Sequence, residues 1–162
     1  YPHLMRNRQK EGAVPMDLQQ LIDSHHRIVF FGGGQSSCEA AYDLLLNYGK
    51  HPIIVEYAKD LVPAQNVCLS NASFLRDVLE YHKVPTYLEH TIKEIKDKTV
   101  VIASKDGKNV IELEYDNIVN GIGFVPQPVG GKGKNIHRVG DCVAIGNLRT
   151  AIWRAWDVCM KI

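Results

Sequence analysis

Three consecutive glycines, Gly32-Gly33-Gly34, constrain this chain more than any other feature, because they lie between an apolar run and a helical pattern. The run 27–31 predicts a buried strand, and the segment that begins at Gln35-Ser36 repeats apolar residues on one helical face. A strand, a glycine turn and a helix form the context of a dinucleotide-binding fingerprint. Gly32 would allow the tight turn, and Gly34, which lacks a Cβ, would let a pyrophosphate approach the backbone. The first N–H groups of the helix would face that anion.

A second apolar run, 52–55, ends on Glu56, which lies roughly 20 positions beyond the glycines, where the fingerprint expects an acid. Such an acid binds the hydroxyls of the adenosine ribose. The other interpretation is that Glu56 only ends a strand and faces water. The order of turn, helix, strand and acid favours the ribose role. Ser37 replaces the third glycine of the fingerprint, so we expect slightly looser packing of the helix against the strand.

Composition indicates an ordinary globular protein: 45% of the 162 residues are hydrophobic and 23% are charged. A net charge of +1 argues against binding to nucleic acid or to a membrane surface. The apolar runs are too short to cross a bilayer, no signal peptide is visible, and we expect a cytoplasmic protein. Histidine and cysteine spacing predicts no metal site and no disulfide framework. Cys38 could have a pKa lowered by the helix dipole, but we interpret it as a small buried residue.

The order of predicted elements is strand, helix, strand, helix, strand, then an antiparallel meander and a returning strand. This order predicts an α/β fold: a Rossmann-like, three-layer nucleotide-binding domain with a parallel sheet and an antiparallel β-meander, followed by a C-terminal helix. The predicted helices are 16–24, 36–47 (ended by Gly49), one from an N-cap at Ser70 or Asn71 to about Lys83, and one from Asn147; the predicted strands are 27–31, 51–56, 86–88, 91–95, 99–103, 110–113 (after a turn at Asp106-Gly107), one starting at 118–119, and 136–139.

A set of motifs in fixed order resembles one family. Gly-Gly-Gly-x-x-Ser-Cys-Glu from Gly32, the acid Glu56, the meander, the segment 121–126 and Gly140-Asp141-Cys142 occur in sequence. Together they resemble the pyridine-nucleotide-linked flavoprotein reductases of the disulfide-reductase type. More narrowly, the chain is similar over about 27–162 to the C-terminal NADH/FAD module of the 2-enoate and 2,4-dienoyl-CoA reductases, in which an old-yellow-enzyme-like barrel comes first. The tail 146–156 resembles the enoate reductase subgroup in particular.

The resemblance assigns cofactor roles and no catalytic residue. It implies an NAD pyrophosphate site made of Gly32, Gly33, Gly34, Gln35, Ser36 and Ser37. Glu56 would bind the adenosine ribose and favour NAD over NADP, since a 2′-phosphate would meet a like charge. Glu39 would be an acid near the nicotinamide, or only a carboxylate near a helix N-terminus. The remaining implied contacts are Gly121, Ile122 and Gly123, close to the cofactor, and Gly140 and Asp141, on the ribityl or phosphate region of FAD.

The resemblance implies that the chain positions NAD(H) for hydride transfer from the nicotinamide C4 to the flavin N5. We expect three parts: a connecting segment 1–26, an NAD(H)-binding domain 27–126, and a return segment 127–162 to an FAD domain. No FAD fingerprint, iron–sulfur cysteine run or barrel is present, so we expect an inactive fragment whose partners are the FAD domain and the barrel. The alternatives are a free-standing, non-catalytic NAD(H)-sensing module and, less favoured, a nucleotide-sugar binder.

Overall fold

A computed structural model describes residues 26–63, 67–131 and 133–162. These residues form two compact units, one ending at Ile122 and the other running from Gly123 to Ile162, and each unit is described by itself. The functional division predicted at 126 stays a prediction. None of the helices in the described ranges combines the length and the apolar character needed to cross a membrane.

The first unit contains two sheets and two helices. Strands β1, β2, β3 and β7 form a parallel sheet in the order β3-β2-β1-β7, and β4, β5 and β6 form an antiparallel sheet in that order. The predicted α/β fold with a parallel sheet and a meander is therefore confirmed. The bounds are β1 Arg27–Phe31, α1 Gln35–Tyr48, β2 His51–Glu56, α2 Leu69–Tyr81, β3 Thr86–Leu88, β4 His90–Ile95, β5 Thr99–Ser104, β6 Val110–Glu114 and β7 Asn117–Asn120.

The parallel sheet is apolar on both faces because each face packs against a different layer. One face contributes Ile28, Phe30 and Ile54 to a core shared with α1 and α2. The other contributes Val29, Phe31 and Val55 to a core shared with the antiparallel sheet. Burial of each such side chain stabilises the fold by about 1.5–3 kcal/mol. The alternation of side chains along β1 therefore explains the three layers, namely the helices, the parallel sheet and the antiparallel sheet. Parallel pairing places the carboxyl ends of β1 and β2 side by side.

Several local predictions are confirmed. Gly49 ends α1 in the left-handed region, with φ 59°, and its N–H donates to the carbonyl of Leu44. The turn at Asp106-Gly107 joins β5 to β6, and Gly107 also has a positive φ, of 73°. The start of α2 was predicted wrongly. Its N-cap is Cys68 rather than Ser70 or Asn71, and no side chain caps it; the Ser70 hydroxyl lies 3.0 Å from the Cys68 sulfur instead.

The second unit contains a short 3-10 turn at Gly140–Cys142 and helix α3, Leu148–Cys159. Asn147 caps α3: its side-chain oxygen accepts from the Thr150 N–H at 3.0 Å, and the Thr150 hydroxyl accepts from the Asn147 N–H at 2.9 Å. The strand predicted at 136–139 is not formed, because no strand in the described ranges pairs with it. The helix predicted at 16–24 and nearly all of the connecting segment 1–26 lie outside the described residues.

Candidate nucleotide-binding site

The turn that follows β1 requires glycine at position 32 for two reasons. Its φ is 94°, in the region that glycine adopts most readily. A Cβ there would overlap the carbonyl oxygen of Gly121 and lie 2.7 Å from the carbonyl carbon. The N–H of Gly32 donates to Val55 at 2.9 Å. Gly32 therefore lies between β2 and the segment after β7 and makes the tight turn predicted from the sequence.

Gly33 is enclosed by the loop that follows β2. A Cβ at this position would lie 2.5 Å from the Cδ2 of Leu61 and 3.2 Å from the Cβ of Glu56. Its carbonyl accepts from the Val62 N–H at 2.7 Å and from the Cys38 thiol at 3.4 Å. Its N–H donates to the Glu56 carboxylate. Both polar groups of Gly33 are thus used within the protein, and the close packing explains why glycine is needed here.

Gly34 differs from the other two glycines. Its φ is −68°, which any residue can adopt, and a Cβ built on it would lie more than 4 Å from every other described residue except its chain neighbours. It is the N-cap of α1, yet no side chain caps this helix and no acidic residue lies in its first turn. The first turn of α1 therefore contains no acidic side chain to offset the positive dipole end, although the Glu56 carboxylate accepts from the Gly33 N–H one residue before the cap. The geometry leaves open space beside Gly34 at a position that favours an anion.

Ser37 occupies the third glycine position of the fingerprint, and Gly121 is the glycine that packs against it. Ser37 is buried, and a Cβ at Gly121 would overlap its hydroxyl oxygen and lie 3.2 Å from the Phe31 carbonyl oxygen. The Gly121 N–H donates to that carbonyl at 2.7 Å. The looser packing expected from Ser37 is not observed, because the glycine on the opposite side accommodates the hydroxyl.

Glu56 ends β2 beside the glycine turn, and both of its carboxylate oxygens are held by backbone donors. One accepts from the Gly33 N–H, and the other accepts from the Ala58 N–H at 2.6 Å. The carboxylate therefore contacts the turn and does not simply face water. An ionised carboxylate has about four acceptor positions, so further donors can still bind to it. Its orientation is fixed before any ligand arrives.

Gln35 and Glu39 lie one helical turn apart, and the Gln35 amide donates to the Glu39 carboxylate at 2.7 Å. Both side chains are partly buried near the start of α1. The hydrogen bond orients Glu39 but does not decide between its two predicted roles, an acid near a nicotinamide and a carboxylate near a helix N-terminus.

Cys38 is completely buried beneath the turn. Burial, together with the smaller effect of the negative charges of Glu56 and Glu39, raises the pKa of its thiol to about 12. The helix dipole does not produce a reactive thiolate here, so the interpretation as a buried packing residue is confirmed. Within the described ranges, no group of three or more histidine, cysteine, aspartate or glutamate side chains could hold a metal ion.

The other predicted site residues lie at the end of the first unit or in the second. Ile122 is 76% exposed, and its N–H donates to the Asn120 side chain at 3.4 Å. In the second unit, Gly123 and Gly140 have positive φ angles of 92° and 71°. Asp141 lies in the 3-10 turn, where its carboxylate accepts from the Gly146 N–H at 3.1 Å. These contacts explain the local shape of each segment, and the cofactor roles of the residues remain predictions.

Three residues that the sequence did not identify also shape the turn. Leu61 and Val62 lie against Gly33, and Arg76 of α2 donates to both of their carbonyls, at 2.8 and 3.1 Å. The loop 58–69 has no apolar period, so no pattern distinguished these two residues from solvent-exposed ones. Only the arginine inside an otherwise apolar helix face could have drawn attention to the contact.

The chain is similar to a known protein family and to a curated reductase. Residues 5–159 match the model of the pyridine nucleotide-disulphide oxidoreductase family. Cinnamate reductase of Clostridium sporogenes is 26% identical over 142 residues, which is 84% of this chain and 21% of that protein. The chain thus spans about a fifth of the length of this curated relative.

Solved structures extend the comparison. A 2-naphthoyl-CoA reductase in complex with 2-naphthoyl-CoA is 26% identical, with a TM-score of 0.65 over 84% of this chain and 21% of the other. Bacillithiol disulfide reductase of Staphylococcus aureus is 19% identical, with a TM-score of 0.54 over 62% of this chain and 30% of the other, a likeness in fold alone. Since the family match covers almost the whole sequence, the chain belongs to the pyridine nucleotide-disulphide oxidoreductase family.

Proposed function

We propose that this chain is the NAD(H)-binding domain of a flavin-dependent oxidoreductase of the enoate reductase type, where it positions NADH for hydride transfer to FAD. The observation that carries the proposal is the environment of Gly34. Neither its φ nor its packing against the described residues requires glycine, and a bound ligand beside it would account for the missing Cβ. A pyrophosphate over the start of α1 is such a neighbour.

The adenosine end of the cofactor would bind at Glu56. Its carboxylate is already oriented by the N–H groups of Gly33 and Ala58 and retains acceptor capacity for two ribose hydroxyls. A 2′-phosphate placed there would bring like charges together, which costs several kcal/mol at short range in a partly buried site. This arrangement supports NADH rather than NADPH as the nucleotide.

In this proposal the chain binds and orients the cofactor, and the chemistry belongs to the cofactor. NADH supplies the hydride when it is bound, and FAD accepts it. The turn and the start of α1 hold the pyrophosphate, and Glu56 fixes the ribose. Glu39, which Gln35 orients, would be the acid near the nicotinamide.

The finer assignment rests on the family resemblance. The relatives include two reductases named for cinnamate and 2-naphthoyl-CoA, and this supports an enoate-type parent enzyme. We propose the division into a connecting segment 1–26, an NAD(H) domain 27–126 and a return segment 127–162, in which Gly140 and Asp141 contribute part of an FAD site. An FAD domain and an old-yellow-enzyme-like barrel would be the partners of this chain.

The second candidate is a free-standing NAD(H)-sensing module. It is favoured by one observation: both hydrophobic cores lie entirely within the first unit, which can bury its apolar surface with its own residues. Such a module would bind NADH without responding to flavin, whereas a component of a flavoenzyme would bind FAD at least weakly.

A calorimetric titration with NADH, NADPH and FAD tests the proposal. The variants are Gly34→Ala, Glu56→Gln and, as a control for loss of an exposed carboxylate, Glu94→Gln. We expect NADH to bind the native chain, Glu56→Gln to weaken it by about 1–2 kcal/mol, and Glu94→Gln to leave it unchanged. Gly34→Ala should weaken NADH at least about tenfold while its unfolding free energy stays within about 0.5 kcal/mol.

Each opposite result has a defined meaning. Equal affinity for NADPH and NADH would show that Glu56 does not select the nucleotide. Unchanged NADH affinity in Gly34→Ala would remove the anion site from the glycine turn. Measurable FAD binding supports the flavoenzyme component, and a flavin-indifferent chain with a strong preference for NADH over NAD⁺ supports the sensing module.

A further inference from the structure

The loop after β2 folds back onto the glycine turn and covers it. Leu61 and Val62 are only 6% and 1% exposed, and the Leu61 side chain lies where a Cβ of Gly33 would be. The Val62 N–H donates to the Gly33 carbonyl at 2.7 Å. Val62 thus holds the carbonyl of Gly33 while Glu56 holds the N–H on the other side of the same Cα, so the conformation of Gly33 depends on where Val62 lies.

Val62 has a backbone conformation that its residue type disfavours. Its φ is 46°, in the left-handed region, and a β-branched residue there is a genuine outlier. Such a conformation persists only where the surrounding contacts determine it. The contacts that hold Val62 are therefore as important for the turn as the glycines themselves.

Arg76 of α2 makes those contacts. Its Nε donates to the Leu61 carbonyl at 2.8 Å, and one terminal nitrogen donates to the Val62 carbonyl at 3.1 Å. Its Nε also lies 3.1 Å from the Asp60 carboxylate, with 27% of the arginine side chain exposed. A planar guanidinium with fixed donors can serve three successive residues of one loop, which a lysine ammonium on its flexible stem does less well.

We propose that Arg76 is a positioning residue for the nucleotide site, because it holds Val62 in the left-handed conformation and thereby fixes the carbonyl of Gly33, the residue whose N–H is held by Glu56. This inference rests on the proposed function. Arg76 acts through the loop and contacts the turn only indirectly. Without it, Val62 would relax to a negative φ, its N–H would leave the Gly33 carbonyl, and Glu56 and the turn would lose their shared orientation before NADH binds.

The matched variants are Arg76→Met and Arg27→Met. Arg27 is also ion-paired, with Glu114, but it lies at the first residue of β1, at the far end of that strand from the turn. In calorimetric titrations of the full chain, we expect Arg76→Met to weaken NADH about tenfold and Arg27→Met to change it by less than about twofold. Arg76→Lys should fall between the native chain and Arg76→Met.

A second substitution separates positioning from general stability. Glycine adopts a positive φ without strain, so Val62→Gly should let the loop keep its path in the absence of Arg76. We expect Arg76→Met/Val62→Gly to bind NADH more tightly than Arg76→Met, although removal of the buried valine makes the double variant less stable to urea. If Arg76 only stabilises the fold, the double variant should bind NADH no more tightly than Arg76→Met, and this result would overturn the proposal.

Failure of the inference can be distinguished from failure of the proposed function. Native chain that binds NADH, together with Arg76→Met that binds it equally well, overturns only the positioning role. Native chain without NADH affinity overturns the proposed function. Hydrogen exchange of the Val62 amide then tests the contact alone: faster exchange in Arg76→Met than in Arg27→Met supports it, and equal exchange overturns it.

Discussion

Replacement of Gly121 by alanine is a direct test of how the glycine turn is packed. The new Cβ would overlap the Ser37 hydroxyl oxygen and lie 3.2 Å from the Phe31 carbonyl oxygen. Gly121 does not have a positive φ, so alanine adds a steric contact without backbone strain. The substitution therefore measures the packing between the residue after β7 and the first turn of α1.

The magnitude follows from the burial of Ser37. With only 1% of this residue exposed, the hydroxyl cannot avoid the new Cβ by moving into solvent. Overpacking of this kind costs about 1–3 kcal/mol, and the lower backbone entropy of alanine in the unfolded chain offsets about 0.4–1 kcal/mol. We expect Gly121→Ala to lower the free energy of unfolding by about 1–2 kcal/mol and the melting temperature by a few degrees.

Urea unfolding followed by circular dichroism measures this difference. Gly34→Ala is the matched control, because it makes the same substitution where no atom lies within 4 Å of the new Cβ. Ser37→Ala in the Gly121→Ala background removes the overlapping hydroxyl and leaves the two Cβ atoms 3.4 Å apart, so it should restore most of the lost stability. If Gly121→Ala is as stable as Gly34→Ala, or if Ser37→Ala restores nothing, the reasoning about this contact is wrong.

Three further predictions concern stability and titration. Asn147→Ala removes the side-chain oxygen that accepts from the Thr150 N–H, while the bond from the residue-147 N–H to the Thr150 hydroxyl can remain, and should destabilise α3 by about 1 kcal/mol, seen as faster amide exchange in that helix. Folding raises the pKa of Cys38 to about 12, so this thiol should resist Ellman's reagent at pH 8 while the exposed Cys68 reacts. For the same reason, the stability that the protonated Cys38 contributes should be lost as pH rises from the ordinary thiol pKa of 9.0 towards 12. The hydrogen bond from the Thr99 hydroxyl lowers the pKa of Glu112 in the folded protein. The stability that Glu112 contributes is therefore present above the ordinary carboxyl pKa and is lost as pH falls through the lowered value. Glu112→Gln should reduce the dependence of the unfolding free energy on acid pH, measured by denaturation curves.

The parallel sheet could be predicted because its strands carry strong local signals. The run at β1 is apolar on both faces, and β2 ends on an acid at the distance the fingerprint requires. The glycines at 49 and 107 mark a helix end and a hairpin turn by their left-handed conformations, which few other residues adopt. In each case the residue type itself carries the physical reason for the structure.

Local pattern is insufficient where a structure depends on a partner. The segment 136–139 has the apolar residues of a strand, but a strand forms only against another strand edge, and local composition does not reveal such an edge. The start of α2 shows the same difficulty at shorter range. Ser70 and Asn71 are good N-caps by residue type, yet the helix already includes them, and the cap is Cys68.

In the candidate site, too, the sequence predicted some features, while others depend on residues far along the chain. The sequence identified all three glycines of the turn and predicted a tight turn at Gly32 and a close approach of pyrophosphate at Gly34, but it gave Gly33 no separate structural reason. The structure separates Gly32 and Gly33, which packing and backbone conformation require, from Gly34, which neither requires. The residues that enclose Gly33, namely Leu61 and Arg76, come from a loop and a helix far along the chain, and a one-dimensional pattern does not bring them together.

Glu56 has a structural role in the turn, and under the proposed function it would also bind the ribose, which has a consequence for the nucleotide preference. The same carboxylate that would meet the ribose also accepts from Gly33 and Ala58. Replacing it with a cation to accommodate a 2′-phosphate would leave both N–H groups without their acceptor, and an unsatisfied buried donor costs about 1–3 kcal/mol. A change of preference from NADH to NADPH therefore needs a second substitution that supplies a new acceptor near Gly33. Under the proposed function, one side chain would therefore determine both the nucleotide selectivity and the shape of the glycine turn.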